Sequence, residues 1–341
     1  MIRTGLIGYG LGGMAFHAPL IDAVPELALA AIVTSRADVV RERYPQVPVV
    51  PEAAALLADP GIELVAISTP NHTHFPLAKA ALEAGKHVVI DKPFATSVAE
   101  AEVLVALAEV QGRVLSVFHN RRWDGDFLTV SKLLDQGALG DLTLYEARWD
   151  RFRPALRGNW HEDAGPGGGV LIDLGPHLID QALALFGLPQ SITADIAAQR
   201  EGSQVDDYFE LTLHYGRMRA VLSSASIVPA PRPRFAVHGT KASFVKYGLD
   251  PQEAQLRAGG RADAPEHGVE DPAQHGALIG GDGTRQTVAS ERGDYRRFYA
   301  GVARAIAEGV PAPVSPADAL AGLRIVELAR QSAREGRSLP F

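Results

Sequence analysis

From residue 1 to about residue 120 the chain repeats one unit, a short apolar run followed by a helical pattern. The apolar runs are "RTGLIG" (3–8), "LALAAIVTS" (27–35), "VPVV" (47–50), "IELVAIS" (62–68), "HVVI" (87–90) and "RVLSVF" (113–118). Helical stretches such as "THFPLAKAALEAG" (73–85) and "SVAEAEVLVALAEVQG" (97–112) lie between them. The second of these has an apolar face at Ala101, Leu104, Val105 and Ala108, and Ser97 with Glu100 forms a capping-box pattern at its start. Nearly continuous apolar strands joined through helices predict a parallel sheet covered on both faces. Few other architectures accommodate that alternation.

After about residue 124 the pattern changes. A helix, "DFLTVSKLLDQG", leads to the strand-like "DLTLYEARWDRF". "GGGVLIDLGPHLIDQALALFG" (167–187) reads as a long amphipathic helix containing Pro176. The segments "SITADIAAQ", "DYFELTLHY", "MRAVLSSASIV" and "RFAVHG" alternate apolar and polar residues, which predicts an antiparallel sheet with one exposed face. Residues 250–290 are rich in Gly, Asp, Ala and Pro and read as loop. Helices near 291–308 and 316–335 close the chain. The expected fold is α/β: a doubly wound parallel sheet over 1–122, then an α+β domain over 123–341 with a large, mainly antiparallel open sheet. A length of 341 residues suits two such domains.

Composition excludes several functions. The net charge of −7 and pI near 5.9 argue against a general nucleic-acid or membrane-surface binder, because both want a basic face. No apolar run approaches the ~20 residues of a membrane span. The start, "MIRTGLIGYG", lacks a signal peptide's pattern, so a cytoplasmic location is expected. Without cysteine there is no disulfide, thiol nucleophile or thiolate metal ligand.

"IGYGLGG" sets Gly8, Gly10 and Gly13 in G-x-G-x-x-G spacing between a strand and a helix. Such glycines let the backbone turn tightly and approach a pyrophosphate resting on a helix N-terminus. The alternative is a glycine-rich turn without a ligand. At the end of the second strand, NAD binding calls for an acid on the ribose 2′-hydroxyl. This chain has Ser35 and Arg36 there. An acid would repel a 2′-phosphate, whereas a charge-assisted bond from arginine contributes ~1.5–3 kcal/mol. The expected cofactor is therefore NADP rather than NAD. The other reading has Arg36 capping or solvating a helix start and Asp38 holding the ribose.

Ligands of a doubly wound sheet bind outside the carboxyl ends of its strands. "STPNHTH" (68–74) and "DKP" (91–93) sit at such ends. Lysine is scarce here, with 6 against 27 arginines, so Lys92 stands out. An ammonium can exchange a proton with a small oxygen, which a guanidinium cannot. The bland reading is a surface lysine paired with Asp91. In "DLGPHLID", Asp173 and His177 are one helical turn apart on one face. A carboxylate beside an imidazole can orient it as a base near neutral pH. Taken alone such a pair is more often structural. His72 and His74 lie after a different strand, so no metal site is expected. "GPGGG" (165–169) leaves room for a substrate or cofactor to approach the backbone.

Together, the glycine loop, "TPNHTH", an acid-Lys-Pro turn after a strand and a D-x-G-x-H helix resemble the glucose–fructose oxidoreductase/inositol dehydrogenase (Gfo/Idh/MocA) family over essentially the whole chain. Within it, "GLGGMAFHAPLI", "FHNRRWDGDFLTV" and "GPGGGVLIDLGPHLIDQALALFGLP" are most similar to the NADP-dependent scyllo-inositol 2-dehydrogenase-like group. The resemblance implies hydride transfer between nicotinamide and a secondary alcohol of a cyclic polyol or sugar. It makes Lys92 the partner of the reacting hydroxyl, His177 its base and Asp173 an assistant. Thr69, Asn71, His74, Asp91, Lys92 and Asn120 would join the glycines, Ser35 and Arg36 around the cofactor. Arg121, Trp123 and Trp160 would contact substrate. The second domain would bind substrate and join subunits, giving a homodimer or homotetramer. The family usually has Glu before the lysine, where this chain has Asp91. Two other functions fit the same fold: a glycosidase using bound nicotinamide in an internal redox cycle, and a non-catalytic NADP-binding sensor. Lys92, Asp173 and His177 together argue against a sensor.

Overall fold

The structure is a computed structural model that describes residues 1–156, 158, 162, 165 and 167–341. Among the described residues, six parallel strands form the first sheet: β1 (Ile2–Ile7), β2 (Leu27–Val33), β3 (Val49–Val50), β4 (Leu64–Ile67), β5 (His87–Ile90) and β6 (Leu115–Val117). Their order is β3-β2-β1-β4-β5-β6. The winding therefore reverses at β1, and the crevice at that switch point is where such a sheet holds ligands. All four β4 residues and Val88, Val89 and Ile90 of β5 are wholly buried, as doubly covered strands require. The helix Val98–Gln111 buries Ala101, Leu104 and Ala108. Ser97 accepts from the Glu100 amide at 3.2 Å, but Glu100 reaches back to the Thr96 amide and hydroxyl rather than to Ser97. The expected capping box is thus closed one residue earlier.

Among the described residues the second sheet has nine strands. They are β7 (Leu142–Arg148), β8 (Ser191–Ala197), β9 (Tyr208–Tyr215), β10 (Met218–Ala225), β11 (Phe235–Gly239), β12 (Ala242–Lys246), β13 (Gly276–Gly280), β14 (Arg285–Val288) and β15 (Leu339–Pro340). The order is β14-β13-β12-β11-β7-β10-β9-β8-β15, antiparallel except for the β7–β10 pair. Phe209, Leu211 and Leu213 alternate along β9 toward a core shared with Leu171, Leu174, Leu178 and Ile179. Those four leucines and isoleucines lie on the helix Val170–Phe186, which contains Pro176. Burying each contributes about 1.5–3 kcal/mol, which outweighs the hydrogen bond that the proline removes.

The loop expected over 250–290 needs correction. It contains the helix Gln252–Arg257 and the β13–β14 hairpin. Its Gly and Asp residues build the hairpin turn: Asp282 Oδ1 accepts from the Thr284 amide at 3.0 Å, and Gly283 takes φ +85°. Short edge strands such as "RQTV" carry little apolar alternation, so pairing with the neighbouring strand, β13 on β12 and β14 on β13, rather than local pattern defines them.

Contacts divide the chain into two units. One comprises 1–120, 251–267 and 294–320, and the other 121–250, 268–293 and 321–341. The helix Arg296–Glu308 belongs with the first sheet, an assignment that chain order does not reveal. No helix among the described residues is long and apolar enough to cross a membrane.

Candidate active site

In the first unit the glycine loop follows β1. Gly8 has φ +100°, and a Cβ there would lie 2.0 Å from the Ser68 carbonyl oxygen. A Cβ at Gly13 would lie 2.2 Å from the Gly8 carbonyl oxygen. These two glycines let the chain pack against itself. Gly10 differs, because no atom lies within 4 Å of its Cβ position. That open space sits where the helical run beginning at residue 11 presents its first amides, and the Met14 amide already bonds Gly10 oxygen at 2.9 Å. A dinucleotide pyrophosphate fits such a cradle: the helical run has no side-chain cap at its start, and among the described residues no side chain fills the space.

Arg36 folds over this loop, its Nη2 donating to the Tyr9 carbonyl. It is exposed, as is Ser35. Its side chain does not cap the following helix, Ala37–Arg43. Asp38, the acid of the competing reading, pairs with Arg41 Nη1 at 2.9 Å and is 94% exposed.

Asp91 and Lys92 follow β5. Asp91 Oδ1 accepts from the Lys92 amide at 2.8 Å, and Oδ2 accepts from Ser68 Oγ at 3.0 Å. His17 Nε2 lies 3.3 Å from the same Oδ2. Burial pushes the Asp91 carboxyl up, but the His17 imidazole against Oδ2 and the neighbouring Lys92 ammonium overcome it and hold it down to about 2. Gly12, which the motif template skips, closes this node: a Cβ there would meet Ser68 Oγ at 2.5 Å and Asp91 Oδ2 at 2.8 Å. The cofactor loop therefore rests directly on the acid of the Asp-Lys-Pro turn.

His74 was expected to line the nicotinamide side, yet it is wholly buried. Its Nδ1 lies 2.8 Å from the Pro93 carbonyl and its Nε2 2.9 Å from the Thr69 carbonyl, so it braces the two strand-end turns. Burial pushes its imidazole down despite those contacts. Thr69 Oγ1 bonds Thr73 Oγ1 at 2.6 Å, and Asn71 and Asn120 are largely buried.

In the second unit Asp173 and His177 project from the helix Val170–Phe186. Arg151 Nη1 donates to Asp173 Oδ2 at 3.0 Å. The His177 ring lies 5.8 Å from the Trp149 ring, tilted by 33°. Arg121, expected to meet substrate, is buried: its guanidinium stacks 4.5 Å over Trp149, and Nη1 lies 3.6 Å from Asp124 Oδ1. Its carbonyl accepts from Gln181 Nε2 at 2.8 Å. Arg122 grips Asp180 through two bonds of 2.9 and 2.7 Å, fixing the helix one turn beyond His177. Trp123 is half-buried, and Trp160 lies outside the described residues. Of the room expected at "GPGGG", the space at Gly169 is filled, since a Cβ there would lie 2.2 Å from Asp206 Oδ1, whereas at Gly165 it is open among the described residues. Asp206 also accepts from the Leu171 amide at 2.7 Å, at the start of the same helix. Among the described residues no group of three or more His, Asp or Glu could hold a metal ion.

His17, Arg151 and Gly12 escaped the sequence reading. A lone histidine or arginine has no spacing signal, and Gly12 is hidden beside Gly13. Its repeat in "GG" was the one available hint.

Residues 2–119 match the NAD-binding Rossmann-fold model of the Gfo/Idh/MocA oxidoreductase family, and residues 131–341 match that family's C-terminal alpha/beta domain. The chain belongs to the Gfo/Idh/MocA oxidoreductase family. It is similar to the scyllo-inositol 2-dehydrogenase (NADP(+)) IolW of Bacillus subtilis, with 42% identity across 99% of this chain and 95% of that protein. D-glucoside 3-dehydrogenase of Escherichia coli is 30% identical over 60% of this chain and 59% of its own. Among solved structures, the Bacillus subtilis oxidoreductase YvaA superposes with TM-score 0.97 at 42% identity, covering 100% of this chain and 98% of that one. An oxidoreductase from Bacillus cereus superposes with TM-score 0.91 at 34% identity, covering 100% and 99%. As a Gfo/Idh/MocA member with dehydrogenase relatives, the chain is an NAD(P)-dependent dehydrogenase.

Proposed function

We propose that this dehydrogenase uses NADP and oxidises a secondary alcohol of a cyclic polyol or sugar, of the inositol type, or reduces the matching ketone. The observation that carries the cofactor preference is Arg36. It stands where NAD enzymes place an acid, and its guanidinium reaches the glycine loop. The pairing of Asp38 with Arg41 supports this reading over the one in which Asp38 holds the ribose. The substrate class is supported by the full-length likeness to a scyllo-inositol 2-dehydrogenase and the partial likeness to a glucoside 3-dehydrogenase.

The bound nicotinamide would supply the hydride acceptor or donor. Gly8, Gly10 and Gly13 would hold the pyrophosphate, Ser35 and Arg36 the 2′-phosphate, and Thr69, Asn71 and Asn120 the nicotinamide end. Lys92 would hydrogen-bond the reacting oxygen, and His177 would carry its proton as general base. Asp173, aimed by Arg151, would favour the protonated imidazole or bind a neighbouring hydroxyl. Trp123 and Trp160 would shape the substrate's surroundings. The protein would work as a homodimer or homotetramer.

The experiment is to follow reduced-nicotinamide absorbance with NADP or NAD against inositols, glucose and glucosides, for the native chain, Lys92→Ala and His177→Ala. Turnover of a cyclic polyol with NADP, lost by several orders of magnitude in both variants while NADP binding persists, is the expected result. Equal use of NAD, or variants defective only in cofactor binding, would overturn the assignment.

A further inference from the structure

His17 and Tyr299 lie 282 residues apart in sequence and meet in the first unit. His17 Nδ1 is 2.6 Å from Tyr299 Oη. Both side chains are wholly buried. Phe118 closes the pocket, its ring 4.4 Å from His17 and 5.9 Å from Tyr299. A histidine sealed among aromatic rings costs stability unless its polar atoms have partners. His17 Nε2 faces Asp91 Oδ2 at 3.3 Å, a contact that is attractive only with a proton on Nε2. In the neutral ring that leaves the Nδ1 lone pair for the Tyr299 hydroxyl, which burial and the Asp91 charge keep protonated. Asp91 Oδ1 receives the Lys92 amide.

We infer that His17 and Tyr299 are positioning residues for Lys92: the tyrosine fixes the histidine tautomer, the histidine fixes the Asp91 carboxylate, and the carboxylate fixes the backbone that carries the lysine. The inference rests on the reading of Lys92 as a catalytic residue. It also gives the shorter acid of this chain a specific task. The groups that face His17 are Asp91 and Tyr299 directly, with His74 and Lys92 around the same carboxylate. Each link orients the next, and a displacement near 1 Å at a reacting group costs about 10²-fold in rate.

The test uses the full-length protein with NADP and scyllo-inositol, or whichever polyol of the panel it turns over. His17→Leu removes the donor to Asp91, His17→Gln keeps an amide N–H near the Nε2 position, and Tyr299→Phe removes the hydroxyl that sets the tautomer. For His17→Leu and Tyr299→Phe, kcat should fall by about 10²-fold, with KM and NADPH binding, read by fluorescence titration, little changed. His17→Gln should recover a large part of kcat. Nitrogen NMR of histidine-labelled protein should show one histidine held as the Nε2–H tautomer, and that signal should change in Tyr299→Phe. Unchanged kcat in His17→Leu, or an Nδ1–H tautomer in the native protein, would overturn the inference. So would a His17→Gln variant as impaired as His17→Leu. Lys92→Ala is measured alongside. If it retains turnover, the reading of Lys92 fails; if it loses turnover while His17→Leu does not, only the inference fails.

Discussion

Arg151 holds Asp173 through a 3.0 Å hydrogen bond, one helical turn before His177. The carboxylate that the sequence pairs with an imidazole is thus also an arginine ligand, which fixes one of its oxygens. Removing Arg151 should free that carboxylate. Arg151→Ala is expected to lower kcat/KM by about 10²-fold. Asp173→Asn added to Arg151→Ala should cost little more, because the two act as one unit. Steady-state kinetics of the two single variants and the double variant check this, and strictly additive losses would contradict it.

Arg36 is exposed and reaches back to the glycine loop. Arg36→Ala should weaken NADP binding by about 10- to 150-fold, the loss of one charge-assisted bond, and leave NAD binding nearly unchanged. Fluorescence titration with the two reduced cofactors measures both. Equal weakening of both would make the arginine a structural support of the loop.

Gly8 and Gly10 share a motif but not a reason. Gly8 has φ +100° and backbone 2.0 Å from its Cβ position, so Gly8→Ala should destabilise the fold by ~1–3 kcal/mol or more. Gly10 faces open space, so Gly10→Ala should leave thermal unfolding unaltered while cofactor affinity falls. A Gly10→Ala protein that binds cofactor normally would show that the pyrophosphate lies elsewhere.

The folded-state value of Asp91, about 2, lies below its ordinary 3.8. Ionised Asp91 therefore stabilises the fold above pH 3.8, and that contribution fades as pH falls through about 2. The shift amounts to about 2 kcal/mol at neutral pH. Asp91→Asn should thus cost stability at neutral pH and progressively less toward pH 2. Denaturant unfolding of both proteins across that range tests it. A cost independent of pH would point to packing rather than charge.

The motifs that the sequence carries are those built from neighbours. Gly8, Gly10 and Gly13, the Asp91-Lys92-Pro93 turn and the Asp173–His177 pair all lie within one loop or one helical turn. Backbone geometry alone therefore places them on one loop or one face, and six apolar runs determined the parallel sheet because doubly buried strands need continuous apolar sequence. Tertiary structure decided the rest. β13 exists because β12 offers an edge to pair with, and β14 because β13 does in turn. The helix Arg296–Glu308 returns to the first unit and brings Tyr299 to His17. Arg151 finds Asp173 from a different element, and His74, legible as a site residue, proves to be a buried brace. Each depends on hydrogen-bonding and apolar surfaces meeting across tens to hundreds of residues, which leaves no local period or spacing to read. The chain's local pattern therefore names the loops and helix faces that carry chemistry, while long-range packing selects the partners that hold each side chain in place.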